Sequence, residues 1–161
     1  MKTIFLDRDG VIINNADHYY ICKVEDIEFV DGIFENLKRL KNKGYEFFIV
    51  SNQGGIAKKE YTKDDVNKVH QYIQDEFKKH DIEFREIYFC PHHDTIEACL
   101  CRKPSPLMIE KLMARYDVNP KQSCLIGDNI TDIQAAEAAG IAGIKIDANK
   151  NMLPFIQELI A

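Results

Sequence analysis

Short apolar runs rich in Ile, Val, Phe and Tyr recur along this chain, each bounded by polar or glycine-containing segments. Such runs are typical of strands buried inside a sheet. Between them, apolar residues stand three or four positions apart, which is the period of a helix with one buried face. The pattern predicts strands over 3–6, 45–50, 86–89, 123–126 and 142–146.

Helices are predicted between these strands, and several of their ends are marked. Thr62, with Asp65 three residues later, starts the second helix as a capping box, and Gly44 ends the first. Pro104 suits the opening turn of the third. The apolar positions are Ile33, Leu37 and Leu40; Val66, Val69, Ile73 and Phe77; Ile109, Leu112 and Met113; and Ile133 and Ala136. Alternating strands and helices predict an α/β fold, a three-layer Rossmann-like parallel sheet flanked by helices.

Length and charge restrict the organisation and the partners of the chain. Its 161 residues are the size of one domain, so we expect a single domain over 1–161 that acts as a monomer. The net charge of -5, with no basic block, argues against nucleic acid or an anionic membrane as a partner. No apolar stretch is long enough for a signal peptide or a membrane span, so we expect a cytoplasmic protein.

Polar side chains follow the predicted strands. Asp7 and Asp9 come after the first strand, Ser51-Asn52-Gln53 after the second, and Asp128 after the fourth. In an open parallel sheet, ligands bind beyond the carboxyl ends of the strands. Gly10 lets the chain turn back, so that one carboxylate can attack while the other moves a proton. This set of groups on one edge of a sheet indicates phosphoryl chemistry.

Charged residues near this edge suggest a cation site and an anion site. Asp7 and Asp128 supply the hard oxygen ligands that suit Mg²⁺. Asp132 has two interpretations, a charge at a helix start or a partner of Lys103. Arg102 and Lys103 precede a predicted helix, where two cations and free backbone amides can bind a phosphate.

A second constellation is a Cys-x-His motif followed, after six intervening residues, by Cys-x-Cys. Three thiolates and an imidazole match the ligand set of a structural zinc ion, and four protein ligands leave no open position for catalysis. The loop has few other apolar residues to bury and would gain its order from the metal. His93 is then a bystander, and Cys22 and Cys124 are free thiols. The predicted zinc ligands are Cys90, His92, Cys99 and Cys101.

The chain resembles the haloacid dehalogenase-like phosphatases. The motifs that carry the resemblance span nearly the whole chain: Asp7-x-Asp9-Gly10, Ser51-Asn52-Gln53, Lys103 and Gly127-Asp128-x-x-x-Asp132. The resemblance implies that Asp7 is the nucleophile and forms an aspartyl-phosphate. Asp9 would protonate the leaving oxygen and then activate water. Ser51 and Lys103 would hold the phosphoryl oxygens, and Asp7, the Asp9 carbonyl and Asp128 would bind Mg²⁺.

The zinc motif, which continues as Cys-Arg-Lys-Pro, is similar to one subfamily of these phosphatases. That subfamily contains D-glycero-D-manno-heptose 1,7-bisphosphate 7-phosphatase and histidinol-phosphate phosphatase. The segments between the main motifs are too short for a cap domain, so the zinc loop would border an open site. Asp17-His18-Tyr19-Tyr20 resembles a substrate-contacting segment of the heptose enzymes. Asn129 departs from them, because it stands where those enzymes often have a lysine. The implied substrate-binding residues are Asp17, His18, Tyr20, Asn52, Gln53, Arg102 and Asn129.

The resemblance implies a small phosphorylated substrate, either a sugar or an amino alcohol. The segment around Asp17 and the stretch 52–57 favour removal of the 7-phosphate of the heptose bisphosphate. The short spacing between His92 and Cys99 instead favours histidinol phosphate. Two other possibilities are an inactive zinc-stabilised binding module and a phosphatase of nucleic-acid ends. The intact catalytic positions argue against the first, and the acidic balance argues against the second.

Overall fold

A computed structural model describes all 161 residues and contains one five-stranded parallel sheet. The strands lie in the order β3-β2-β1-β4-β5, with helices on both faces. The predicted α/β architecture is thus confirmed. The elements are β1 (Thr3–Leu6), α1 (Ile33–Asn42), β2 (Glu46–Asn52), α2 (Lys63–Lys78), β3 (Phe84–Cys90), α3 (Leu107–Tyr116), β4 (Cys124–Gly127), α4 (Ile130–Ala138), β5 (Ala142–Lys145) and α5 (Gln157–Ile160).

Side chains of β1 alternate between two apolar layers. Ile4 and Leu6 belong to the layer covered by α1 and α2, and Phe5 belongs to the layer covered by α3 and α4. Phe5 stacks on Phe48 of β2, with ring centroids 5.4 Å apart. Because both faces are covered, β1 and β4 are buried along their whole length, as a central parallel strand requires.

The marked helix ends are only partly as predicted. Thr62 and Asp65 form the capping box of α2, and Gly44 follows α1 with a φ of 86°. The assignment of Pro104 to the opening turn of α3 is wrong, because α3 begins at Leu107. Pro104 instead lies in a turn that precedes the helix, in which the Ser105 N–H donates to the Arg102 carbonyl at 2.8 Å. The short helix α5 was not predicted.

The strand order reverses at β1, since β2 lies on one side of it and β4 on the other. Such a switch point opens a crevice at the carboxyl edge of the sheet. The Asp7 N–H donates to the Ile126 carbonyl at 3.1 Å, which holds the chain after β1 beside the end of β4. The topology therefore brings Asp7 and Asp128 together.

The segments that follow the strands stay small. The longest, between β1 and α1, contains a single short 3₁₀ turn at Val24–Asp26, and no separate cap domain covers the sheet edge. None of the helices combines the length and the apolar character that crossing a lipid bilayer needs.

Candidate active site

A cavity of about 660 Å³ lies at the carboxyl edge of the sheet, and most of the residues that line it are polar. It receives side chains from the segments after β1, β2, β3 and β4, as the positions of the motifs predict. Among its lining residues are Asp7, Asp9, Tyr20, Asn52, Gln53, Arg102, Lys103, Asp128 and Asn129.

Gly10 allows the first acidic segment to turn tightly against the fourth strand end. Its φ of 86° is in the left-handed region, which glycine adopts without strain. A Cβ at this position would also lie 2.6 Å from Oδ2 of Asp128. Both the backbone angle of Gly10 and its close approach to Asp128 therefore require glycine at this position.

Lys103 is the central cation of the site and is only 3% exposed. Its Nζ donates to Asp7 Oδ1 at 2.8 Å and to the Val50 carbonyl at 2.8 Å, and lies 2.6 Å from Asp132 Oδ1. Burial alone lowers the pKa of Lys103, but the carboxylates of Asp7 and Asp132 outweigh it and raise the pKa above its usual value. The side chain is therefore a permanent positive charge beside Asp7.

Asn52 holds the backbone of Lys103 in place. Its Oδ1 accepts the Lys103 N–H at 2.9 Å, and its Nδ2 donates to the Lys103 carbonyl at 3.0 Å. Asn52 was predicted to bind substrate, but both polar atoms of its amide form hydrogen bonds to the backbone of Lys103.

Asp132 combines the two interpretations that the sequence leaves open. It completes a capping box at the start of α4, accepting the Asn129 N–H at 3.1 Å, and it also pairs with Lys103. A Cβ on Gly127 would overlap the Asp132 carboxyl group, so glycine at the end of β4 makes this approach possible.

Three carboxylates converge, and the only side-chain cation that pairs with any of them is Lys103, which contacts Asp7 and Asp132. One oxygen each from Asp7, Asp128 and Asp132 can be chosen so that all lie within 4.8 Å of one another. Burial, together with the like charges of Asp7 and Asp132, raises the pKa of Asp128 to about 7. Burial and Asp7 likewise raise the pKa of Asp132. This cluster has the donor atoms and the excess negative charge that attract a hard divalent cation.

Asp9 is held by donors on two sides. Arg8 donates to it through Nε at 3.0 Å and through a terminal nitrogen at 3.2 Å, and Gln53 donates to Oδ2 at 3.0 Å. Arg8 is completely buried and also donates to the Ile21 carbonyl at 3.0 Å. Its remaining nitrogen lies 3.2 Å from Nε2 of His70, which accepts from it.

His70 gives the fold a defined pH dependence. Burial first, and then the charge of Arg8, lower the pKa of His70 from 6.5 to about 3. Between these two values the unfolded chain binds a proton that the folded protein excludes. The contribution of neutral His70 to the free energy of unfolding is therefore fully present above pH 6.5. It is lost as the pH falls towards 3, by at most about 1.4 kcal/mol per pH unit.

We therefore expect the free energy of unfolding to fall more steeply below pH 6.5 in the wild type than in His70→Gln. Glutamine keeps an acceptor for Arg8 and does not titrate. Urea unfolding from pH 7.5 to pH 4.5 measures both slopes, and parallel profiles would contradict the assignment.

The side chain of Gln53 links the acidic segment to β2. Besides Asp9, its Nε2 donates to Ser51 Oγ at 2.8 Å, and its Oε1 accepts the Tyr61 hydroxyl at 2.7 Å. The Gln53 amide is thus fully engaged within the protein. Ser51 is 1% exposed and lies beneath the cavity rather than on its wall.

The other predicted substrate-binding residues are divided by the fold. Tyr20 and Arg102 line the cavity, as does Asn129, whose side chain also accepts the Thr131 N–H at 3.1 Å. Asp17 and His18 do not line the cavity. His18 is half-exposed, with Nε2 3.8 Å from Asp26. The structure therefore does not bring Asp17 and His18 to the other predicted residues.

The predicted zinc ligands meet beside the cavity. Cys90 Sγ lies 3.1 Å from Cys101 Sγ and 3.7 Å from Cys99 Sγ. His92 Nδ1 lies 3.4 Å from Cys101 Sγ and 3.6 Å from Cys90 Sγ. Ligand atoms around a tetrahedral zinc ion stand about 3.5 to 3.8 Å apart, given Zn–S of about 2.3 Å. All five cysteines are free, including Cys22 and Cys124.

Three residues of the site were not singled out from the sequence: Arg8, Tyr61 and His70. Arg8 stands between the two aspartates, where a charged side chain suggests a solvated position. His70 follows Val69 on the apolar face of α2, and this placement was the available signal of a buried histidine. For Tyr61, which is 7% exposed, the sequence offered no distinguishing pattern.

The chain is similar to a known hydrolase family and to known phosphatases. Residues 4–146 match the family model of the haloacid dehalogenase-like hydrolases. The chain is 46% identical over 140 residues to the D-glycero-alpha-D-manno-heptose-1,7-bisphosphate 7-phosphatase of Campylobacter jejuni, covering 87% of this chain and 78% of that protein. It is 39% identical to the D-glycero-beta-D-manno-heptose-1,7-bisphosphate 7-phosphatase of Helicobacter pylori, covering 94% and 83%.

A solved structure is also similar along almost the whole chain. It is the D,D-heptose 1,7-bisphosphate phosphatase from B. bronchiseptica, complexed with magnesium and phosphate. The TM-score is 0.85 at 28% identity, and the match covers 98% of this chain and 87% of that one. The family model spans most of the sequence, and both enzyme relatives exceed 30% identity over more than three quarters of their own length. The chain therefore belongs to the haloacid dehalogenase-like hydrolase family.

Proposed function

We propose that this protein is a Mg²⁺-dependent phosphatase that removes the 7-phosphate of D-glycero-D-manno-heptose 1,7-bisphosphate. The observation that carries the proposal is the polar cavity in which Asp7, Lys103 and Asp128 meet, in a chain whose relatives are phosphatases of this substrate. The names of those relatives include both anomers, so the proposal covers the heptose bisphosphate without choosing one.

Asp7 is the proposed nucleophile. One carboxylate oxygen attacks the phosphorus atom, and the bond from phosphorus to the sugar oxygen breaks, leaving a phosphoryl group on Asp7. Lys103 holds Oδ1 of Asp7 at 2.8 Å and so fixes the orientation of the carboxylate. Its positive charge also offsets the repulsion between the carboxylate and the phosphate dianion.

Asp9 is the proposed acid and base. In the first step it gives a proton to the departing sugar oxygen, and in the second it takes a proton from the water that hydrolyses the phosphoryl-aspartate. Arg8 and Gln53 donate hydrogen bonds to the carboxyl group of Asp9 and hold it in place for both steps. Arg102, which lines the cavity, is proposed to assist by binding oxygen atoms of the substrate. Ser51, which lies beneath the cavity wall, is proposed to assist by holding Gln53 through its hydroxyl oxygen.

Mg²⁺ fits the carboxylate cluster. Asp7 and Asp128 would hold it with the backbone carbonyl of Asp9, and its charge would offset the burial and the neighbouring carboxylates that raise the pKa of Asp128. When bound, the cation supplies charge stabilisation to the phosphoryl oxygens. Asp132 is proposed to support Lys103 rather than the cation, because its Oδ1 lies 2.6 Å from Nζ.

Zinc fits the four ligand atoms of the loop after β3. Cys90, His92, Cys99 and Cys101 would hold it, and Glu97 lies 3.9 Å from the outer nitrogen of His92. The proposed role is structural, since the four positions leave no site for substrate. The metal would fix the loop that carries Arg102 into the cavity.

Reduced, unchelated protein is expected to contain about one equivalent of zinc, held by four protein ligands. Cys99→Ser should lower the zinc content and the melting temperature, because the loop loses its main source of order. Cys22→Ser is the matched control, since Cys22 lies outside the cluster. Elemental analysis and thermal unfolding measure both; less than half an equivalent in the wild type would contradict the site.

The substrate is tested by measuring kcat/KM side by side on the heptose 1,7-bisphosphate and on histidinol phosphate, with Mg²⁺ present. We expect the bisphosphate to be preferred, with heptose 1-phosphate as the product. The short zinc loop is the feature that favours histidinol phosphate. The length of this loop shapes the edge of the cavity that contacts the part of the substrate away from the cleaved phosphate. A clear preference for histidinol phosphate, or for a terminally phosphorylated oligonucleotide, would overturn the proposal.

A further inference from the structure

His93 lies next to a proposed zinc ligand but faces the active-site cavity. Whereas His92 directs Nδ1 at the cysteine sulfurs, His93 lines the cavity together with Arg102 and Gly54. The His93 side chain is only 17% exposed, so the ring is largely enclosed by protein. The proposed mechanism assigns it no role.

The ring of His93 and the guanidinium of Arg102 both pack against the backbone of Gly54. A Cβ on Gly54 would stand 2.8 Å from Cδ2 of His93 and 2.9 Å from a terminal nitrogen of Arg102. The His92 carbonyl would be 3.1 Å away. No side chain fits there without displacing both groups, so glycine in the loop after β2 allows His93 and Arg102 to meet.

The tautomer of His93 is set by Thr95. The Thr95 N–H donates to Nδ1 of His93 at 3.2 Å, and the Thr95 hydroxyl lies 2.7 Å from the same atom. A backbone N–H is always a donor, so Nδ1 accepts and Nε2 carries the hydrogen. The exposed Asp94 carboxylate, 3.1 Å from Nδ1, makes no aligned hydrogen bond with the ring. Nε2–H is therefore a fixed donor with no acceptor in the protein.

Other unpaired donors surround it. Arg102 uses one terminal nitrogen on the His92 carbonyl at 3.1 Å, and its other guanidinium nitrogens have no protein acceptor. The backbone N–H groups of Gly54 and Gly55 donate to no backbone carbonyl, although both residues are buried. Convergent N–H donors beside a guanidinium are suited to anionic oxygen atoms.

We propose that His93 is a substrate-binding residue, whose Nε2–H donates to an oxygen of the phosphate that is not cleaved. The inference rests on the proposed function, because it assumes that a substrate with a second phosphate occupies this cavity. His93 and Arg102 then select for a bisphosphate by binding the phosphate that Asp7 does not attack. The role needs a neutral donor in one position, and a glutamine amide can supply it.

The test compares wild type, His93→Ala and His93→Gln, each loaded with zinc and Mg²⁺, on heptose 1,7-bisphosphate and heptose 7-phosphate. For His93→Ala we expect KM for the bisphosphate to rise about tenfold, the loss of one hydrogen bond to a charged group. The kcat for both substrates and the KM for the monophosphate should stay within about twofold, which is too small a change for a lost hydrogen bond. His93→Gln should recover most of the loss.

Equal effects of His93→Ala on the two substrates, or no effect on either, would overturn the inference while leaving the proposed function intact. A wild-type enzyme that does not hydrolyse the bisphosphate would overturn both. Zinc content and melting temperature are measured for each variant, and a loss of zinc in His93→Ala would count against a role in substrate binding.

Discussion

Asp7→Asn is expected to release phosphate from the heptose bisphosphate at least about a thousandfold more slowly than the wild type, because its amide is a poor nucleophile. Asparagine has nearly the same shape, and its oxygen can still accept from Lys103, as Oδ1 of Asp7 does at 2.8 Å. The substitution removes one negative charge from a crowded cluster. The variant should therefore fold as stably as the wild type, or more so, while losing turnover.

Single-turnover phosphate release is the measurement, with thermal unfolding of the same sample. Asp75→Asn is the matched control, since Asp75 is an exposed residue of α2 that only accepts from Gln71. It undergoes the same chemical change far from the cavity and should keep full activity. Retained turnover in Asp7→Asn would refute the nucleophile assignment, and so would an equal loss in Asp75→Asn.

Much of the fold follows from periodicity in the sequence. The predicted 3–6 strand coincides with β1, and Ile33, Leu37 and Leu40 are all buried on α1, as their spacing predicts. These predictions succeed because burial on one face leaves a regular trace in the sequence. The helix α5 leaves no such trace, because four residues cover barely one turn.

The positions of the main motifs in the site also follow from the sequence, since strand ends in a parallel sheet meet at one edge. What each side chain contacts does not follow. Gln53 is a polar residue at a strand end, yet it reaches inward to Ser51 and Tyr61. Whether an amide faces substrate or protein depends on partners brought from distant segments.

Arg8 shows the same limit more sharply. A charged residue in a loop is normally solvated, but Arg8 is fully buried because Asp9, the Ile21 carbonyl and His70 accept its hydrogen bonds. Those acceptors come from three separate parts of the chain. Only the folded arrangement supplies the compensation that makes burial of the guanidinium tolerable.

Lys103→Met is expected to damage both stability and turnover, because Lys103 is the one side-chain cation in direct contact with the carboxylate cluster. Removing one partner of a buried ion pair leaves the other charges uncompensated, so the free energy of unfolding should fall by about 3 to 5 kcal/mol without Mg²⁺. Phosphate release should fall by about a hundredfold to a thousandfold, since a charge aimed at the reacting group is lost.

A second variant separates the two effects. In Lys103→Met/Asp132→Asn, the carboxylate that lies 2.6 Å from Nζ is neutralised together with the cation. Stability should recover in part, because fewer like charges remain buried around Asp7 and Asp128. Turnover should stay low, since no positive side chain faces the substrate phosphate. Urea unfolding and phosphate release measured on the same samples distinguish these outcomes.

Lys38→Met is the control for the loss of a lysine. Lys38 pairs with Asp81 at 2.7 Å on the surface, where ion pairs contribute about 0 to 1 kcal/mol. It should cost little stability and no activity. Stability losses of equal size in Lys38→Met and Lys103→Met would contradict the prediction that the buried ion pairs of Lys103 stabilise the fold more than a surface pair does. If turnover recovered with stability in the double variant, Lys103 would support the fold of the site without acting on the phosphate.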